Sequence, residues 1–144
     1  VPFSAFEAYA AQAGLTAAAV TPGMHNSDYE SGIAQICDEV WHIRTARNTP
    51  TKPGAFVSFW QRDTDGTTMP FSDDDLAAGL LVFVEQRGRR GVFRFTCAHL
   101  AELAITSGKR PGKRGFRVYP SWCTGLNTQA SATQGAQASA FKEY

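Results

Sequence analysis

Cysteine is scarce in this sequence. There are three, Cys37, Cys97 and Cys123, an odd number with no CxxC pair. That pattern excludes a zinc ribbon and a disulfide framework. Scattered thiols suit a reducing compartment, and the first residues lack a basic stretch followed by an apolar run, so no secretory leader is expected. The cytoplasm is the expected location. No apolar run reaches the ~18 residues that a membrane helix needs, so no membrane partner is expected. The three histidines, His25, His42 and His99, are isolated. Without an HExxH pair there is no zinc-peptidase motif. No GxSxG elbow and no P-loop occur either. Charge is sparse as well, at 19% of residues against 43% hydrophobic. A disordered tail would show the reverse balance.

What is present is enough for one domain over residues 1–144, with a sizeable core. Lys and Arg number 14 against 13 Asp and Glu, a formal net charge of +1. The average conceals segregation. Residues 1–40 hold no Lys or Arg and five acids: Glu7, Asp28, Glu30, Asp38 and Glu39. Residues 91–144 hold seven basic residues and two acids. Five of those seven lie between positions 109 and 117. An acidic front and a basic back leave a polyanionic partner open.

The pattern along the chain predicts a helix over 3–13, with Ser4 and Glu7 as a capping box and Gly14 as its stop. Residues 15–30 read as a loop. Alternation predicts strands over 31–37 and 40–46, and two prolines make 48–54 a loop. Strands follow over 55–62, 80–85 and 92–95, the second apolar enough to be buried on both faces. Residues 87–91 form a hairpin turn. A helix is expected over 97–106, a strand over 115–119 and a weak helix over about 128–141, anchored by Phe141. The fold class is α/β (α+β), a mixed central sheet flanked by helices.

Two segments could carry anion chemistry. In G-K-R-P-G-K-R-G-F-R-V-Y-P, residues 108–120, glycines allow close backbone approach and the cations supply charge. A solvated loop kept soluble by its charges fits the same letters. In R-T-A-R-N-T-P-T-K-P-G, residues 44–54, hydroxyls and cations are combined as phosphate contacts require. A proline-stiffened hairpin loop also fits. The run Asp73-Asp74-Asp75, with Glu85 ten residues later, offers carboxylates for Mg²⁺ and hence for metal-assisted phosphodiester hydrolysis. The same aspartates could cap the segment that follows them. Trp122, beside the basic segment, is either a packing residue or a platform for a base.

These stretches resemble the MepB-like family. The resemblance is carried by RTARNTPTKPGAFVSFWQR (44–62), MPFSDDD (69–75), GVFRF (91–95), GKRGFRVYPSW (112–122) and NTQASATQ (127–134). It covers about residues 29–144. It implies a fold similar to the PD-(D/E)XK nucleases and nucleic-acid binding as the activity. The family's polar set falls on Arg44, Thr49, Thr51, Lys52, Arg62, Lys113, Arg114, Arg117, Tyr119, Gln129, Thr133 and Gln134. Asn127 is a further hydrogen-bonding candidate. The sequence departs from the family pattern at Arg47, Gln61, Thr96-Cys97, Cys123 and Ala132: one lysine becomes arginine, and three lysines and one carboxylate are lost. Those losses count against an active nuclease, which needs carboxylates for its metal and a Lys to orient water.

The expected function is therefore binding of DNA or RNA. The expected surface is Arg44, Thr51, Lys52, Arg62, Lys113, Arg114, Arg117, Tyr119, Gln129 and Gln134. No cofactor is expected. Two alternatives stay open. One is a Mg²⁺-dependent nuclease using Asp73, Asp75 or Glu85. The other is a protein that closes the two basic loops around one small anion.

Overall fold

A computed structural model of the chain describes residues 3–15, 17–22, 29–75 and 77–144; for residues 17–19 it describes the backbone alone. The elements in chain order begin with α1 (Ser4–Ala13), β1 (Ala17–Pro22), β2 (Gly32–Ile36) and β3 (Glu39–Thr45). Next come β4 (Arg47–Asn48), β5 (Ala55–Ser58), β6 (Gln61–Arg62) and β7 (Thr68–Met69). They continue with β8 (Gly79–Gln86), β9 (Arg89–Thr96), α2 (Cys97–Glu102) and β10 (Gly115–Val118). The last are α3 (Thr128–Gln137) and, after one 3₁₀ turn, β11 (Phe141–Glu143).

The main sheet has six strands in the order β1-β2-β3-β8-β9-β11. All neighbours are antiparallel except β3 and β8, which run parallel. The fold is thus α+β around a mixed sheet. Strand β8 explains the layering. Its even residues Leu80, Val82 and Val84 enter one core cluster, and its odd residues Leu81 and Phe83 enter another. A strand with apolar side chains on both faces needs cover on both. Helix α1 covers one face through Phe6 and Ala10. The three-stranded sheet β10-β5-β4 covers the other through Ala55, Val57, Phe116 and Val118. Leu100 of α2 and Phe59 and Phe71 of the connections complete that second core.

Several expectations are corrected. Ser4 is the first helical residue rather than the cap. Phe3 stands at the cap with a positive φ, and its N–H donates to Glu30 Oε2 at 2.7 Å. Gly14 ends α1 in a left-handed conformation, as expected. Part of the expected 15–30 loop is the edge strand β1, whose Ala-Ala-Ala-Val run carries little alternation; positions 23–28 lie outside the described residues. The expected strand 55–62 breaks after Ser58, and its end forms the small β6–β7 hairpin. The helix after β9 is shorter than expected, because Ala104 turns the chain with φ 59. Phe141 belongs to a strand, where it faces Phe93 of β9.

Candidate functional site

The two basic segments, some sixty residues apart in sequence, meet in space. Strand β10 pairs with β5, so Arg117 stands opposite Phe56, and Phe56 stands opposite Arg47 of β4. Alternation sends Phe116 and Val118 into the core and Gly115, Arg117 and Tyr119 outward. Arg117 then reaches across to the proline loop. One of its terminal nitrogens donates to Thr49 Oγ1 at 2.6 Å and to Pro53 O at 2.7 Å. The guanidinium thus ties loop 49–53 to β10, while its Nε is buried and unpartnered.

Gly54 permits that approach. Its φ is +77, and a Cβ there would lie 2.6 Å from Val118 O and 2.8 Å from the Tyr119 ring. Only glycine combines the left-handed backbone with so close a contact.

Helix α3 closes the opposite side. Asn127 caps it, accepting from Ala130 N at 2.8 Å. Gln137, 2% exposed, docks it against β10. Gln137 Oε1 accepts from Tyr119 N at 3.0 Å and its Nε2 donates to Arg117 O at 2.8 Å. One side-chain amide thereby occupies the place of a neighbouring strand on the free edge of β10.

Between these parts lies a groove of about 720 Å³. Lys52, Lys113, Arg117 and Tyr119 line it on one side, and Asn127, Gln129 and Thr133 on the other. Leu103, Ile105 and Phe116 form apolar parts of the lining. The lining contains three cations and no carboxylate. In this setting a bound anion meets unopposed positive charge together with hydrogen-bond donors.

The expected site residues do not share one place. Lys52, Lys113, Arg117, Tyr119 and Gln129 converge on the groove. Arg62 and Arg114 sit at the β6–β7 hairpin, away from it. Arg62 lies over the Trp60 ring and donates to Gly66 O, and Arg114 Nε donates to Thr68 O. Thr51 is exposed on the loop, outside the lining. Gln134 turns inward and donates to Pro120 O and Cys123 O, so it holds the tail together.

Arg44 is the clearest correction of place. It is 3% exposed, inside the core rather than on a binding surface. Its guanidinium lies 5.2 Å from the Phe59 ring centroid and donates to Ile43 O, with Nε unpartnered. Burial brings its pKa down to about 10. His42, two residues earlier on the same face, is held down at about 4 by burial and then by Arg44, with Asp75 opposing. Edge contacts to Phe59 and Phe71 surround its ring.

The carboxylates do not assemble. Asp73 accepts from Thr106 Oγ1. Asp75 accepts from Ser72 N at 2.9 Å and from Gln61 Nε2 at 2.6 Å, and the Ser72 bond leads in lowering its pKa. These bonds tie the 72–75 turn to itself, to Gln61 and to Thr106, and neither aspartate caps the segment that follows. Glu85 is on the far half of β8. It lies five residues past Leu80, the partner of His42, about 17 Å along the strand and on the opposite face. Among the described residues no three His, Cys, Asp or Glu side chains converge. Trp122 is a packing residue: it donates to Gln86 Oε1 and meets Phe141 edge-on. Gln137 is the residue that sequence reasoning missed. A single Gln in a weakly patterned, Ala-rich tail gives no signal of burial.

A mixed sheet whose second, smaller sheet and last helix enclose a cationic groove is the class of protein that this geometry defines. The MepB-like family model matches residues 23–143. The chain belongs to the MepB-like family. It is also similar to a solved structure described as the crystal structure of MepB, at 34% identity and a TM-score of 0.85. That match covers 88% of this chain and 86% of the other. No curated protein matches at a significant level. Among the described residues no helix is long and apolar enough to cross a membrane.

Proposed function

We propose that this protein binds nucleic acid in the groove between α3 and β10, gripping phosphates with Lys52, Lys113 and Arg117. One observation carries this reading: two basic segments remote in sequence line a single groove that holds no carboxylate. Asn127, Gln129 and Thr133 add neutral hydrogen-bonding groups on the facing wall. Contacts of this mixture position a phosphate backbone without reading bases. The reading treats the mixed sheet as a nuclease-like scaffold used for binding. The separation of Asp75 from Glu85 supports binding over Mg²⁺-dependent cleavage.

Net charge tempers the affinity. The chain carries only +1 overall, so steering toward a polyanion comes from the groove and not from the whole molecule. Fluorescence anisotropy with labelled single-stranded and duplex DNA and RNA tests the reading at two salt concentrations. Three phosphate contacts predict a log–log salt slope of about −2 on single strands. Lys52→Ala and Lys113→Ala should each flatten it by about 0.7. Absence of binding at low salt, or binding indifferent to both substitutions, refutes it.

A further inference from the structure

The loop that Arg117 pins down is a ridge with a depression on each side. Lys52 and Pro53 line the groove, and the same two residues line a second cleft of about 420 Å³. Gln86 builds the floor of this second cleft. Its Nε2 donates to Asn48 Oδ1 and to Gly54 O, both at 3.0 Å, and its Oε1 accepts from Trp122 Nε1 at 2.8 Å. Arg87 and Arg89 also line it, and no Asp or Glu does.

The two arginines differ. Arg89 is committed. It makes a two-pronged contact with Glu143 at 2.8 and 2.7 Å, and its guanidinium lies 4.9 Å from the Trp122 ring centroid. Its side chain is nonetheless 51% exposed, so the guanidinium over the indole is open to a ligand. Arg87 sits exposed in the β8–β9 turn with φ 51. Among the described residues it has no hydrogen-bond or ion-pair partner. The second cleft therefore offers one uncommitted cation, an exposed guanidinium over an indole, and Lys52 shared with the groove.

We infer that the two depressions form one continuous track, and that the ligand is a single-stranded nucleic acid that crosses the Lys52 ridge. This rests on the groove reading above and goes further, because it excludes a lone phosphate as the complete ligand. A duplex is stiff over a length of about 150 base pairs and cannot dip into two hollows beside a narrow ridge. A single strand can, with its phosphates on Lys113, Arg117, Lys52 and Arg87 in turn. A base laid on the Arg89–Trp122 pair uses the planar recognition that single strands favour. An acidic peptide has no flat group for that pair.

The test compares labelled oligonucleotides of about three and about ten nucleotides, since single-strand sites span about 4–16. Arg87→Asn removes the charge while suiting the left-handed backbone. An unchanged thermal midpoint confirms that this variant folds. The expected result is about five- to tenfold weaker binding of the ten-mer at low salt, with its salt slope flattened by about 0.7. The three-mer should be unaffected, and Arg87→Lys should restore the ten-mer. Lys52→Ala should weaken both probes. Arg87→Asn without effect on the ten-mer overturns the track and leaves the groove standing. So does displacement of the ten-mer by polyglutamate of equal charge as well as by unlabelled strand. Failure of the wild-type protein to bind either probe overturns the groove reading and the track together.

Discussion

Replacing Gln137 tests the packing logic of the groove most directly. The residue is 2% exposed, and its amide satisfies Tyr119 N and Arg117 O at once. Gln137→Leu keeps the volume and removes both bonds. Two backbone groups then lose partners, each costing about 1–2 kcal/mol in a partly buried setting, or about 2–4 kcal/mol together. Urea denaturation of wild type and variant measures that difference. Gln137→Glu discriminates further. The ionised carboxylate still accepts from Tyr119 N but repels Arg117 O, and it is buried, so its folded pKa rises above its unfolded value. Stability contributed by the protonated form is then present at low pH and lost as pH rises through the folded value. The protonated acid can donate to Arg117 O and accept from Tyr119 N, as the native amide does. The deficit of Gln137→Glu relative to wild type should therefore shrink as pH falls, whereas that of Gln137→Leu should not. A Gln137→Leu cost below about 1 kcal/mol would refute the claim that this amide docks α3 on β10. A pH-independent deficit for Gln137→Glu would refute it too.

Four further outcomes are expected. The His42 pKa is depressed from 6.5 to about 4, so folding keeps the ring neutral and stability should fall as pH drops from about 6.5 toward 4, by at most about 3 kcal/mol; His42→Leu should lose that acid limb in thermal melts across this range. Arg44→Met should be neutral or stabilising in chemical denaturation, because it removes a buried cation that has no carboxylate partner among the described residues; a loss above about 3 kcal/mol would show that the guanidinium is properly compensated. Gly54→Ala should cost at least about 2 kcal/mol through its left-handed backbone and the contact with Val118 O, read as a shifted denaturation midpoint. Glu143→Gln should free Arg89 and tighten binding of the ten-nucleotide probe at low salt, as an anisotropy titration would show.

Local patterning made much of the framework legible. Strand β8 announced two-sided burial through an unbroken apolar run, and the alternation of Gly32–Thr45 located β2 and β3 within a residue at each end. Prolines and glycines placed the 48–54 loop, except that Asn48 ends β4, and the 87–91 turn, except that β9 already begins at Arg89. Elements with weak signatures were missed. Strand β1 is alanine-rich and β11 is three residues long, and both depend on the partner they pair with. The family resemblance was readable from the motifs in residues 44–134.

The candidate site was half legible. Charge type and loop chemistry marked Lys52, Lys113 and Arg117, because cations beside glycine and proline are visible letter by letter. Which of the basic residues face a common space was decided by the tertiary structure. Arg44 has the same chemistry as Arg117, yet β3 carries it beneath the second sheet, and β10 carries Arg117 to the outer face. For Asp73 and Asp75 the sequence left metal ligation and capping both open, and the fold gives one oxygen of Asp73 to Thr106 and one of Asp75 to Ser72 and Gln61. By itself the sequence determined the strand periodicity, the turns and the segregation of charge, since each depends on neighbours along the chain. Only the folded chain decided which charges share a groove, because that depends on sheet pairing between residues far apart in sequence and on one buried glutamine whose partners are backbone atoms.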